Sequence, residues 1–311
     1  MRKHLIDKLV HKAAYDDRIV LMVADLGFNV VDNFQKKYSS RFINCGIAEG
    51  NMLSVATGMA LEGDIVFVYS IGNFPTLRCL EQIRNGACYH NADVKIISVG
   101  GGFSYGSLGM THHATEDLAI MRSLPNMRVY APADPCEAEA VLDDMIDYSG
   151  PCYVRLARGQ DEKLHMRPVA RNIRYLLPYR SYSNEKWDVT IVSTGTILSD
   201  AIKVEEKLEK IGIATRLYSC PTIKPIDVET IRAIALKSNF LVTMEEHNII
   251  GGLGGVCSEV VSGIDSHARL LRFGLQDSFA NIIGSGEFLR KYYGMDCESV
   301  YKQVVQLVRG K

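Results

Sequence analysis

The chain has 311 residues, 47% of them hydrophobic, with 35 Lys and Arg against 36 Asp and Glu for a formal net charge of -1. That is enough for two ordinary domains with filled cores; it excludes a disordered or fibrous protein, and the balanced charge gives no global field toward nucleic acid or an acidic membrane surface, so a small-molecule substrate is expected. The eight cysteines, at 45, 79, 88, 136, 152, 220, 257 and 297, form no C-x-x-C pair or zinc-like spacing, and no apolar stretch reaches membrane-spanning length, so a cytoplasmic protein is expected.

Leu5, Ile6, Leu9, Val10, Ala13 and Ala14 recur at helical spacing, and 19–23 is a continuous apolar run of strand length. Ile43 leads through Gly46 and Ile47 into 48–61, whose Ala, Met, Leu and Val content with few breakers reads as a buried helix. Further strands are predicted at 65–69, 94–98, 128–130 and 153–156, separated by helices near 48–62, 77–91, 115–123 and 134–147. The texture then turns charged and irregular, with Pro168 and Pro178, which predicts a linker over 161–186. Alternation resumes with strands at 189–193, 214–218, 240–244 and 270–273 and helices near 197–211, 227–236 and 254–262. The fold class is therefore α/β, with two doubly wound domains at 1–160 and 187–311, each a mostly parallel sheet covered by helices.

Open parallel sheets bind ligands outside the carboxyl ends of their strands, so the loops at 25–27, 70–74, 100–113 and 157–159 are expected to converge on one edge. Glu49 falls in the first turn of its helix, where a carboxylate either stabilises the helix dipole or serves a ligand. The loop 100–113 pairs several glycines with His112 and His113. It is neither a Walker loop nor a G-x-G-x-x-G, and it reads either as a mobile surface loop or as a site where a histidine moves a proton near neutrality.

Gly46-Ile-Ala-Glu49, the Thr111-His112 pair, Glu116 to Asn126 and Val154-Arg-Leu-Ala-Arg158-Gly together resemble the carboxy-terminal half of the transketolase family. That family includes 1-deoxyxylulose-5-phosphate synthase and the beta subunits of 2-oxoacid dehydrogenases. The likeness continues through Val192-Ser-Thr-Gly195, Thr222 to Asp227 and Glu245-Glu-His-Asn248.

The resemblance implies thiamine diphosphate, with Glu49 hydrogen-bonded to the pyrimidine N1' so that the ring adopts the tautomer that can deprotonate the thiazolium carbon. Ile47, Tyr69 and Phe74 would clamp the pyrimidine, although Phe74 also reads as an ordinary core phenylalanine. Asp25 would lie near the cofactor or else cap the next helix. His112 would act on substrate oxygens, His113 stands where relatives carry Gln, and Arg158 would hold a phosphate terminus. Arg155 reads as a second substrate contact or as a salt-bridged arginine at the end of its strand.

Ordinary transketolases carry an aspartate and a histidine where this chain has Leu108 and Gly100, so a modified or deoxy sugar is an alternative to the usual pentose phosphates. The Gly-Asp-Gly segment that holds Mg2+ in such enzymes does not occur, so no metal ligand is expected here; because Met1 begins a helix, an accidental fragment is not expected either, and the metal site is expected on another polypeptide. The resemblance implies a split transketolase, with an amino-terminal partner supplying the Mg2+ site in an α2β2 assembly. The reaction would transfer a two-carbon ketol unit from a ketose to an aldose. The alternatives are a 2-oxoacid-decarboxylating enzyme and a non-catalytic scaffold.

Overall fold

The computed structural model of the chain describes residues 1–159, 162–165, 169, 172–183, 186–265 and 267–310; Pro168 of the expected linker lies outside them. A helix over Arg2–Lys12 precedes β1 (Ile19–Val23), and the Ile43 lead-in is β2 (Phe42–Asn44). The strands β3 (Ile65–Ile71), β4 (Val94–Val99), β5 (Arg128–Tyr130) and β6 (Cys152–Leu156) follow. β7 (Leu177–Pro178) comes next, followed by β8 (Trp187–Thr194), β9 (Thr215–Ser219), β10 (Thr222–Lys224), β11 (Ser238–Asn248) and β12 (Arg269–Leu275). They make two sheets, ordered β10-β5-β6-β4-β3-β1-β2 and β12-β11-β8-β9-β7. Both are parallel except for the short edge strands β10 and β7, which pair antiparallel with β5 and β9. The α/β architecture expected from the alternation is present in both halves.

Two details depart from the sequence reading. β7 lies within the expected linker and belongs to the second sheet, where its proline sits on an edge that needs no inward donor. β10 comes from the second half of the chain yet completes the first sheet, tying the two together. Runs of two and three residues carry no periodicity that could announce either.

The helical stretch at 77–91 is not one regular helix. It opens with a tight turn at Leu77–Cys79 and continues as a wide-turn π-helix at Gln82–Cys88. The helix Glu49–Leu61 buries Met52, Leu53, Ala56 and Ala60 but leaves Val55 and Leu61 exposed, so it is apolar on both faces rather than buried all round. Composition alone cannot orient such a helix. The helices Asp32–Lys37, Gly286–Tyr292 and Cys297–Val308 are additions to the sequence reading.

The first sheet is sandwiched. One face packs Val20, Met22, Val66 and Val68 against the helix Glu49–Leu61, and this apolar cluster continues through Leu118 and Ile223 to Val192 and Leu241 of the second sheet. The other face packs Leu21, Phe67 and Tyr69 against Leu5, Leu9 and Val141. Side chains alternate faces along a strand, and that parity decides below which residues can meet Glu49. No helix among the described residues is long and apolar enough to cross a membrane.

Candidate active site

Because β6, β4, β3, β1 and β2 are adjacent in the first sheet, the loops leaving their carboxyl ends gather along one edge. Glu49 opens its helix there and is 2% exposed. Ser70 Oγ, at the end of β3, donates to Glu49 Oε1 at 3.4 Å, and Arg78 Nη1 donates to Oε2 at 2.8 Å. The Arg78 guanidinium also lies over the Phe74 ring, 4.4 Å from its centroid. His112 meets the same ring edge-on, with centroids 5.3 Å apart. A buried carboxylate, a planar cation, an aromatic face and an imidazole thus adjoin one another. Phe74 and Arg78 line an open cleft together with Asn73, Met110, Thr111, His113 and Phe279.

The glycine loop has defined contacts. Gly102 and Ala114 exchange backbone hydrogen bonds at 2.8 and 3.2 Å, closing its neck. Phe103 N–H donates to Glu246 Oε1 at 2.6 Å and Asn248 N–H to the Thr115 carbonyl at 2.8 Å, so β11 grips the loop from below. Gly102 has φ +58°, and a Cβ there would run into Glu246. At Gly100, with φ +105°, a Cβ would run into the ring of Tyr105. Tyr105 therefore fills the room that a side chain at position 100 would need. Its ring lies 6.3 Å from His112 and 5.1 Å from the Arg158 guanidinium, and so links the two.

His112 is half-exposed, with Nδ1 3.0 Å from the Thr111 hydroxyl. His113, expected beside the substrate, is in the lining of the same cleft but almost wholly enclosed. It is 2% exposed, donates from Nε2 to the Gly106 carbonyl at 3.3 Å and packs edge-on against Phe103. Burial pushes its pKa down, which favours the neutral ring that holds the loop from inside.

Three other expected residues separate by position. Tyr69 is buried in β3 on the face opposite Ser70; it packs against Val31 and beneath Gly27 rather than beside Glu49, and burial pushes its phenol up to about 12. Ile47 is 80% exposed on the bend that leads into Glu49. Asp25, at φ +52°, does not cap the next helix: its Oδ1 accepts from Asn44 Nδ2 at 3.0 Å, while Asn44 Oδ1 accepts from the amides of Asp25 and Gly46 at 3.1 and 3.0 Å. Asp25 thereby fixes the bend that presents Ile47 and Glu49.

Arg158 is exposed beside Tyr105, whereas Arg155 is 8% exposed and turned inward. Arg155 Nη1 lies 3.4 Å from Asp117 Oδ1, and Nη2 donates to the Glu246 carbonyl. Its contacts are those of the salt-bridged alternative. Among the described residues no group of three or more His, Cys, Asp or Glu side chains is placed to hold a metal ion.

A flat nitrogen heterocycle fits what is present: Glu49 is a buried hydrogen-bonding carboxylate, Phe74 offers an aromatic face and Ile47 an exposed apolar flank. Arg78 and Tyr105 escape the sequence reading, because neither position follows a spacing rule.

Comparison with known proteins gives the same picture. Residues 1–161 match the family model for the transketolase pyrimidine binding domain, and residues 180–300 match that for the transketolase C-terminal domain. The chain is similar to an apulose-4-phosphate transketolase subunit from Phocaeicola vulgatus, 31% identical over 99% of this chain and 97% of that one. It is also similar to a 6-deoxy-6-sulfo-D-fructose transketolase subunit from Clostridium sp., 32% identical over 100% of this chain and 95% of that one. Among solved structures, a split gene transketolase described as an inactive beta4 tetramer superposes with a TM-score of 0.89 at 32% identity, over 99% of this chain and 98% of that chain.

Proposed function

The chain belongs to the transketolase family, and we propose that it is the carboxy-terminal subunit of a split transketolase, transferring a two-carbon ketol unit from a ketose to an aldose together with an amino-terminal partner. The observation that carries the reading is the buried Glu49, joined through Arg78, Phe74, His112 and Tyr105 to Arg158 in one run of contacts, of which Arg78 and Phe74 line the cleft. The relatives named as subunits match this chain end to end, which supports a separate partner that completes the enzyme.

Thiamine diphosphate, when bound, supplies the carbon nucleophile that accepts and releases the two-carbon unit. Glu49 would bind its pyrimidine N1' and tune the ring's tautomer, while Phe74 and Ile47 would flank the ring and Asp25 secures the bend beneath Ile47. Tyr69 supports that edge from the far side of the sheet. His112 holds or moves the proton at a sugar hydroxyl, and His113 keeps the loop in shape beneath it. Arg158 offers its guanidinium fork to the anionic terminus of the sugar. The Mg2+ ligands come from the partner in an α2β2 assembly, and all eight cysteines are free, which suits the cytoplasm.

The donor is a sugar phosphate or a modified sugar with an anionic end. Tyr105 at the space above Gly100, and Leu108 in place of an aspartate, leave fewer groups to read mid-chain hydroxyls. The relatives' names, which include apulose 4-phosphate and sulfofructose, fit such a substrate.

The test is reconstitution with the amino-terminal polypeptide that carries the Gly-Asp-Gly segment, followed by assay of aldose release from ketose phosphates. Pyruvate-dependent CO2 release without ketose cleavage would establish the decarboxylating alternative instead, and no turnover on either would leave a scaffold role. Arg158→Ala should raise KM for phosphorylated donors by about 10- to 100-fold with kcat little changed, as expected for loss of a charge-assisted contact to a remote group. Initial rates on donors with and without phosphate check this, since an equal loss on both would mark Arg158 as structural.

A further inference from the structure

Glu49 and Phe74, the two groups best suited to receive the cofactor's pyrimidine, are both already engaged by one side chain. Arg78 donates to Glu49 Oε2 at 2.8 Å while its guanidinium lies over the Phe74 ring at 4.4 Å. A guanidinium is planar, carries in-plane N–H donors and presents a flat cationic face. An aminopyrimidine offers a comparable pattern: in-plane nitrogens for a carboxylate and a flat face for an aromatic ring. We propose that Arg78 holds the place of the heterocycle, so that cofactor binding is an exchange in which the pyrimidine takes over the carboxylate and the aromatic face and the guanidinium moves out.

The exposures give the direction of that exchange. The Glu49 side chain is 2% exposed and cannot leave, whereas Arg78 is 50% exposed and has solvent on its far side. A buried carboxylate left alone is costly, so a partner that departs must be replaced in the same step. The pyrimidine is such a replacement, and water reaching through the cleft is a poorer one. Arg78 also lies in the tight turn at Leu77–Cys79 rather than in a long helix, so its outward swing breaks no helical ladder. An ion pair between two exposed groups would carry none of this meaning, because such pairs contribute little. Here one partner is fully enclosed.

The inference rests on the cofactor reading above, and its test separates the two. Arg78→Met keeps the stem and removes the planar donors. If the docked guanidinium occupies about nine-tenths of the population, the isolated chain's affinity for thiamine should rise about tenfold on its removal, by the usual correction for the competent fraction. Ligand-observed NMR with thiamine as the probe reads this without any turnover. Arg78→Lys, a point charge that cannot stack flat, should fall between the two, and Glu49→Gln added to Arg78→Met should remove the gain. Circular dichroism and thermal melts confirm that each variant is folded; if Arg78→Met does not fold, the comparison passes to Arg78→Lys, with the same expected direction. Affinity that is unchanged or lower in the folded variants overturns the exchange. The cofactor reading fails on a different result, namely that the wild-type chain assembled with its amino-terminal partner binds no thiamine diphosphate in the presence of Mg2+.

Discussion

Glu49→Ala in the assembled enzyme should lower kcat by about 10²- to 10⁴-fold, the range typical of a positioned acid–base group, with kcat/KM falling in parallel. The expectation follows from where the residue sits. Its carboxylate is enclosed at the start of the helix Glu49–Leu61 and held by Ser70 and Arg78, so it has little conformational freedom. Glu49→Gln separates shape from proton chemistry: the amide fills the same space and can still hydrogen-bond, but it cannot share a proton with a ring nitrogen. It should lose nearly as much turnover while binding the cofactor more nearly as wild type does. Loss of fold does not explain such a result, because an acid in the first turn contributes only about 0.3–1 kcal/mol to its helix. The check is steady-state turnover at saturating thiamine diphosphate and Mg2+, beside a thermal melt of each variant. Turnover within twofold of wild type would remove Glu49 from the mechanism, and the functional reading with it.

What the chain discloses before folding depends on how far each signal reaches. Alternation of apolar runs and helical stretches is enough for two parallel sheets, and sheet physics then puts 70–74, 100–113 and 157–159 on one edge. Glu49 is legible because a helix start is a local event. Tyr69 is misplaced for a reason the sequence does contain: on a strand, neighbours face opposite ways, and Ser70, which reaches Glu49, requires Tyr69 to face away. How deeply each of the adjacent histidines is buried is not legible, because the course of the loop alone encloses His113 and leaves His112 part-exposed. Arg78 and Tyr105 depend on chain direction through a tight turn and a left-handed glycine, which no periodicity encodes. β10 shows the same limit at larger scale, since three residues from the second half complete the first sheet.

Arg155→Ala should destabilise the folded chain by about 3–5 kcal/mol, because it deletes one partner from a buried set of charges. Arg155 stands where the two halves of the chain meet: it faces Asp117, which is 1% exposed and also accepts from the Tyr153 hydroxyl at 2.5 Å. Its other arm donates to the Glu246 carbonyl, and Glu246 in turn accepts from Phe103 N–H and from Arg290 Nη1 at 2.8 Å. Truncation leaves Asp117 buried with a phenol as its main donor. Arg155→Lys should recover little, since one ammonium cannot span both acceptors as the guanidinium fork does. At the usual entropy of unfolding, the loss corresponds to a fall in Tm on the order of 10 °C, read by calorimetry. Pairing Arg155→Met with Asp117→Asn should restore part of it by removing the stranded charge, whereas simple addition of the two losses would show that the groups are not coupled. The glycine loop shares the consequence. Gly101 and Gly102 pack directly on Arg155 and Glu246, so amides from 103 to 114 should exchange with solvent faster in Arg155→Ala than those of β1 and β3. The loop that carries His112 is thus held in place from the second half of the chain, which also lends Phe279 to the lining of the cleft.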